Sequence, residues 1–392
     1  MALLLEHLRL RRAASQGEDT LLAVEEPEAH LHPSLQRKVF AHLLREPNRL
    51  LLTTHSPHIV AVAPLSSIVL ADSHDGHTTA SVVPPGLIPP DVSSDLERYL
   101  NVTRAEVLFA REVIFVEGAA DAYLLPALAE AAGFHFDDYG IVVSSVEGTD
   151  FAPYSTLLGP KAFNRPHWVL TDGDAANVEP TVNGVERTAS KEPGLWRAKQ
   201  LAELAGLNSL TADLAKGIEA VTEADLPETG SRPNRSPLIE SAREARIYVG
   251  EHTLEVDIAR LLSKELTATY EAFRTRRDSR EAFAELLSAV SDGGATQQQQ
   301  VEFVTKIEGI GKGRFAQRLA THVGDLDLSG RLTEIGSSPV NRAHSSAELG
   351  RIRGAGSILA LLEDLSQAVR GIPLLSPASS ASGAAAGKGH LK

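Results

Sequence analysis

The sequence predicts an α/β fold: a parallel sheet built by strand–helix–strand alternation, with a helical region after it. Two apolar runs rich in β-branched residues carry that prediction. Val113-Ile114-Phe115-Val116 runs into Glu117-Gly118, and Trp168-Val169-Leu170-Thr171 runs into Asp172-Gly173-Asp174. Runs that are apolar throughout, rather than alternating, suit strands buried on both faces of a parallel sheet. Between them lie a helical stretch at 121–132, a strand at 139–145 and a second helical stretch, a βαβαβ order that implies right-handed crossovers. Ala245 to Val249 offers one more strand. From Leu254 onward apolar residues recur at helical spacing, over 254–266, 269–277, 282–290, 298–308 and 315–322.

The elements before the sheet read as follows. Met1 to Leu10 is apolar, is followed by Arg11-Arg12, and lacks the form of a signal peptide. Leu21 to Val24 is a buried strand ending in Glu25-Glu26, and an amphipathic helix is expected over 34–45, with Ser34 near its start. Arg49 to Thr53 is a further strand, ending in Thr54-His55-Ser56-Pro57. Pro84 to Pro90 forms a proline-rich joint, and Asp91-Val92-Ser93-Ser94 is placed to cap the helix carrying Arg98 and Tyr99. Between Asp174 and Ser241 a polar, helical insertion is expected, with turns at Pro193-Gly194 and from Pro227 to Pro237. The Ser/Ala/Gly composition beyond Ser376 predicts disorder.

At 392 residues and 43% hydrophobic, the chain can bury more than one core. With no cysteine, disulfides and cysteine-ligated zinc or iron–sulfur sites are excluded. No apolar run approaches the roughly 20 residues that a membrane span requires, so a cytoplasmic protein without membrane contact is expected. A net charge of −13 is unlike the basic footprint of most nucleic-acid binders, and any such surface must be a local basic groove.

The chemistry is expected where the strands end, because open α/β sheets hold ligands there. Asp172 and Asp174 share a face, being two apart on a strand, and Asp121 can reach back toward Glu117. These four carboxylates in one crevice would repel each other unless a cation lay among them. Oxygen-only donors suit hard ions such as Mg²⁺ or Mn²⁺. Glu147, after the second strand, is a similar strand-end acid of lower weight.

Glu117-Gly118, Asp121 and Asp172-Gly173-Asp174 together resemble a Toprim domain, the Rossmann-like βαβ fold of topoisomerases, bacterial primases and certain nucleases. Leu96 to Leu100 and Thr103 to Ala110 are similar to the segment that precedes Toprim in nucleases of the OLD (overcoming lysogenisation defect) family. The Glu25-Glu26 strand, the segment after it and His55 resemble the C-terminal half of an ABC-type ATPase. By that resemblance Glu25 would help hold Mg²⁺, Glu26 would polarise water and His55 would sense the γ-phosphate of ATP. No G-x-x-x-x-G-K-[ST] phosphate loop accompanies them. Gly383 to Gly389 is one residue short and lacks the hydroxyl, and Gly309-Ile310-Gly311-Lys312 has the wrong spacing. The chain is therefore expected to be a C-terminal piece of a larger ATPase-nuclease and not to turn over ATP by itself.

The resemblance covers most of residues 20–325. With it the chain divides into an ATPase remnant at 1–83, a joint at 84–111, a Toprim domain at 112–255 with an insertion at about 175–241, and a helical domain at 256–375 closing the site, while composition alone makes 376–392 a disordered tail. The resemblance further implies metal-dependent cleavage of duplex DNA with two ions (Mg²⁺ or Mn²⁺), which needs additional acids. Glu255 and Asp257 resemble the extra acidic motif that OLD-like nucleases place beside the site. Lys312, in Gly311-Lys312-Gly313-Arg314-Phe315, is the expected cation for a phosphoryl transition state, with Lys306 as the fallback. A dimer would form through the ATPase domain of the full-length protein. His30 and His32 are set aside as zinc ligands, and Tyr154 and Tyr248 as topoisomerase nucleophiles. Competing readings are a regulatory module that binds one structural ion and a primase-like polymerase on the same core.

Overall fold

The structure, a computed structural model, describes residues 21–29, 31–44, 49–74, 76–100, 104–173, 192–223, 235–328, 330–331, 356–372 and 374. Its chain divides into two units, residues 1–113 with 151–167, and residues 114–150 with 168–392.

In the first unit β1 (Leu21–Glu25) connects through helix α1 (Pro33–Leu43) to β2 (Arg49–Thr53). The strands pair parallel, with Leu21 opposite Arg49 and Glu25 opposite Thr53. Helix α1 begins at a proline, whose fixed φ suits the first helical position, and the His32 ring accepts the Ser34 amide. Phe40 and Leu43 of α1 meet Ile59 of the short helix α2 (Pro57–Val60) in a small core. Next comes an antiparallel hairpin, β3 (Val69–His74) and β4 (His77–Val82). Its second strand, His-Thr-Thr-Ala-Ser-Val, is mostly exposed and carries no apolar alternation, so nothing in its pattern announced it. Helix α3 (Pro90–Tyr99) corrects the expected cap: it starts at Pro90, and Asp91 to Ser94 lie inside its first turns instead of before them.

The second unit is built on β5 (Glu112–Val116), α4 (Ala119–Ala131) and β6 (Ile141–Ser145). The expected strand at 139–145 starts later because 136–139 form a 3-10 turn closed by left-handed Gly140. Helix α5 (Ala152–Leu158) belongs to the first unit, where Tyr154 packs on Tyr99 with ring centroids 4.2 Å apart. The chain returns as β7 (His167–Thr171).

The insertion then contributes α6 (Pro193–Leu204), α7 (Asn208–Glu223) and α8 (Ser236–Glu244) before β8 (Ile247–Val249) completes the sheet. Pro193-Gly194 opens α6 and makes no turn, a correction with the same cause as at α1. The sheet order is β6-β5-β7-β8, and β7 runs parallel to β8 with Thr171 opposite Val249. Ile114, Val116, Trp168, Leu170 and Tyr248 bury this sheet against Leu124 and Leu128 of α4.

Helices fill the rest of the unit: α9 (Leu254–Asp257), α10 (Ser263–Phe273), α11 (Arg277–Ser291), α12 (Gln297–Glu308), α13 (Lys312–Val323) and α14 (Gly356–Arg370). The helix expected over 254–266 is broken, since 258–262 leave the helical path between α9 and α10, and the one at 269–277 is instead the end of α10. Helix α14 had no counterpart in the sequence reading, yet it buries Ile358, Leu359, Leu361, Leu362 and Leu365 in the main core. Its Asp364 accepts both arms of Arg243, at 2.6 and 2.7 Å, and the Tyr248 hydroxyl at 2.6 Å. No helix among the described residues is long and apolar enough to cross a membrane. The expected turns before Pro237 and the expected tail after Ser376 lie outside the described residues, as do residues 1–20.

Candidate active site

The carboxyl ends of β5 and β7 lie side by side and hand their first polar residues to one another. Glu117 Oε1 accepts from the Thr171 hydroxyl at 2.5 Å and from the Asp172 amide at 2.9 Å. The Asp172 carboxylate crosses to the next strand end and accepts the Leu254 amide at 3.0 Å, which fixes the start of α9. Gly173 is required at this corner. A Cβ there would lie 2.1 Å from the Gly250 carbonyl oxygen, a collision between backbones that no side-chain rotation relieves. Asp174, next in the chain, lies outside the described residues.

A second group of residues comes from α4, α9 and α13. Asp121, at the third position of α4, accepts the Gly118 amide at 3.2 Å and so caps its own helix. Burial pushes its carboxyl up to about 7, helped by the negative charges of Glu117 and Glu255 and opposed by the Gly118 bond. Glu255 is 5% exposed, and its Oε2 is a buried oxygen with no hydrogen-bond partner. Lys312 reaches toward it, Nζ lying 3.7 Å from Glu255 Oε1 and 3.5 Å from Glu308 Oε1. Burial works against the Lys312 charge, but Glu255, Glu308 and Asp172 outweigh it and hold the ammonium above its ordinary pKa. Gly311, at φ 99°, makes the turn that starts α13 at Lys312, three residues before the expected Phe315. Gly313 faces α4, where an added Cβ would stand in ordinary contact with that of Ala119, at 3.4 Å.

The sequence-predicted residues thus divide. Glu117, Asp121, Asp172, Glu255 and Lys312 come together in one electrostatic neighbourhood. Asp257 is engaged elsewhere: its two oxygens accept the Glu251 and His252 amides at 3.0 and 3.1 Å, and burial pushes it up to about 7. Glu147 is exposed, with a left-handed φ of 55°. In the first unit His55 Nε2 lies 3.8 Å from Glu26 Oε1, both side chains exposed, while Glu25 ends β1. His30 lies outside the described residues, and His32 serves as the cap of α1.

Two contributors escaped the sequence reading. Arg197 of α6 donates from Nε to the Thr171 hydroxyl at 2.7 Å and from Nη2 to the Asp172 carbonyl at 2.6 Å, with Nη2 also 3.0 Å from Glu117 Oε1. Glu28 accepts the Thr54 hydroxyl at 2.6 Å and the His55 amide at 2.9 Å, joining the two segments that follow β1 and β2. A lone arginine in an amphipathic helix and one glutamate among several carry no spacing signal, so only the fold exposes them.

Among the described residues no three acidic or histidine side chains form a ready-made cation site. The donor chemistry nonetheless fits a hard divalent ion: the oxygens are carboxylates, one is buried without a partner, and Asp121 is driven toward neutrality first by burial and then by Glu117 and Glu255, whose charge a cation would offset.

Comparison with known proteins adds the following. Residues 108–174 match the model of the "Overcoming lysogenization defect protein-like, TOPRIM domain", and residues 1–60 match an AAA ATPase domain. An uncharacterized protein of Escherichia coli (strain K12), YbjD, is 28% identical over 180 residues, which cover 44% of this chain and 32% of that protein. Endonuclease GajA of Bacillus cereus (strain HuB5-5) is 24% identical over 187 residues, covering 39% of this chain and 26% of GajA. The chain therefore spans only about a third or less of the length of these relatives. Among solved structures, the C-terminal region of the Burkholderia pseudomallei OLD protein is 29% identical, with a TM-score of 0.41, and the match covers 67% of this chain and 99% of that one. The corresponding region from Xanthomonas campestris pv. campestris is 29% identical with a TM-score of 0.39, covering 63% and 94%.

Proposed function

Starting from a chain that carries an OLD-like Toprim domain at 108–174 and AAA ATPase sequence at 1–60, we propose that it is the nuclease portion of an ATPase-nuclease and cleaves DNA phosphodiesters with divalent metal. The observation that carries this reading is the meeting of Glu117, Asp121, Asp172 and Glu255 with Lys312 at the ends of parallel strands. Glu117, Asp121, Asp172, Asp174 and Glu255 are the residues that would hold Mg²⁺ or Mn²⁺, with Asp257 holding the loop behind them. Two such ions, when bound, supply an activated water and neutralise charge on the leaving oxygen.

The chain's own residues do the rest. Lys312, kept charged by three carboxylates, offers a fixed positive group to a phosphate oxygen as negative charge accumulates on it. The Leu254 amide fixes Asp172 in its rotamer, and the Gly118 amide fixes Asp121, so neither acid must be ordered when substrate arrives. DNA is the proposed substrate, bound chiefly through phosphates and hence with a steep salt dependence. Glu25, Glu26 and His55 take part in nucleotide chemistry only alongside a phosphate loop from elsewhere, and this chain alone turns over no ATP. The dimer expected through an ATPase domain belongs to the longer protein.

A plasmid assay tests the reading. Supercoiled DNA should be nicked with Mg²⁺ or Mn²⁺, EDTA should stop the reaction, and Glu117→Ala and Asp172→Ala should be inactive. If the folded chain leaves the plasmid intact with either ion, the regulatory reading takes over.

A further inference from the structure

Among the described residues of the insertion, Arg197 enters the strand-end cluster, and neither the domain match nor the functional reading gives it a role. Arg197 sits on α6 with its side chain 11% exposed, against Glu117 at 18%. Its guanidinium serves three acceptors at once: the Thr171 hydroxyl, the Asp172 carbonyl and the Glu117 carboxylate. The same Glu117 oxygen also accepts from the Thr171 hydroxyl and the Asp172 amide. These bonds close a small network in which the acid at the end of β5 and the turn after β7 hold each other through one planar cation. A guanidinium presents such a fork in fixed geometry, whereas an ammonium is a point charge on a flexible stem. Gly194 completes the fit. A Cβ there would lie 2.5 Å from the Asp172 carbonyl oxygen, so α6 approaches this turn at backbone distance.

We infer that Arg197 is a positioning residue, which makes the cation-binding geometry of Glu117 and Asp172 depend on the seating of helix α6. This rests on the proposal that those acids hold divalent metal. Charge and geometry oppose each other here. As a bare positive charge Arg197 would repel an incoming cation, and its removal would tighten binding. As the donor that fixes a ligand carboxylate and the carbonyl of the Asp172 turn, its removal loosens the site. Partners behind metal ligands carry about 10–100-fold in affinity, and Arg197 bonds the neutral Thr171 hydroxyl and Asp172 carbonyl as well as the Glu117 carboxylate. Geometry therefore wins, and the insertion becomes part of the active site.

The test is Mn²⁺ binding to the whole chain, followed by electron paramagnetic resonance of the free ion without DNA. Wild type should bind, and Asp172→Ala should lose that binding. Arg197→Ala should bind about 10–100-fold more weakly, with added methylguanidinium restoring much of the loss. Arg197→Lys should stay weakened although it keeps the charge. Tighter binding in Arg197→Ala, or wild-type affinity in Arg197→Lys, would overturn the inference. Should the alanine variant lose its thermal unfolding transition, the lysine variant decides alone. If wild type itself binds no Mn²⁺, the metal-dependent reading falls with it, an outcome distinct from normal binding that is indifferent to Arg197.

Discussion

Glu192 and Arg235 form a buried ion pair whose loss should be felt beyond its own contact. Arg235 Nη1 donates to Glu192 Oε2 at 2.6 Å, with side chains 7% and 6% exposed, and Nη2 donates to the Glu251 carbonyl. The Glu251 amide in turn donates to Asp257, in the same short helix as Glu255. Arg235→Met strands a buried carboxylate and frees the loop, and breaking a buried pair from one side costs about 3–5 kcal/mol. Glu192→Leu strands the guanidinium, which keeps its carbonyl partner, so its loss should fall near the lower end. The double variant strands no charge and should lose far less than the sum, a coupling on the order of 3 kcal/mol. Urea unfolding followed by tryptophan fluorescence measures this directly. Both tryptophans, Trp168 and Trp196, belong to the unit that contains the pair. Additive losses in the double variant would refute the reasoning, since they would mean that neither charge depends on the other.

Other substitutions probe the site and the helix that closes the core. Gly173→Ala forces a Cβ against the Gly250 carbonyl oxygen and should destabilise by about 1–3 kcal/mol, with Mn²⁺ binding lost at temperatures where the variant is still folded; unchanged melting would contradict this. Lys312→Met should leave Mn²⁺ binding intact and lower plasmid nicking by about 10²–10³-fold; an equal loss of both would show that the lysine only holds acids in place. Acid stability should depend on Asp364. Burial alone would raise its pKa, but the bonds from Arg243 and the Tyr248 hydroxyl outweigh it and hold the carboxyl below its ordinary 3.8. A depressed pKa contributes stability that is complete above the unfolded value and is lost as pH falls through the folded one. The stability gap between wild type and Asp364→Asn should therefore be flat from about pH 5 to 7 and close below about pH 4, as unfolding across that range would show.

The parallel core was legible because its strands are apolar throughout and end in acid and glycine, a pattern that survives in any context. The hairpin at β3 and β4 was not, because β4 is mostly exposed and without apolar alternation, and the contacts of the hairpin, from Asp72 to Arg165 and from Ser81 to the Phe163 carbonyl, are distant in sequence. Prolines misled in one consistent way. Pro90 and Pro193 read as breaks, yet each stands at the first turn of a helix, where its missing N–H costs nothing. At the site the acids carried a signal because their spacing matches strand ends. The direction of each carboxylate carried none, since Asp257 faces its own loop amides while Glu255, two residues earlier, faces Lys312. Arg197 was invisible for a different reason: its partners lie 25 or more residues away, and only the packing of the insertion brings them together.

The central claim is that acids from β5, α4, β7 and α9 share divalent ions. Crystals soaked in Mn²⁺ and measured for anomalous scattering test it most directly. The account expects manganese peaks bordered by Glu117, Asp121, Asp172 and Glu255, within reach of Lys312. Fully ordered acids with no peak among them, or manganese bound only at distant surface carboxylates, would contradict it.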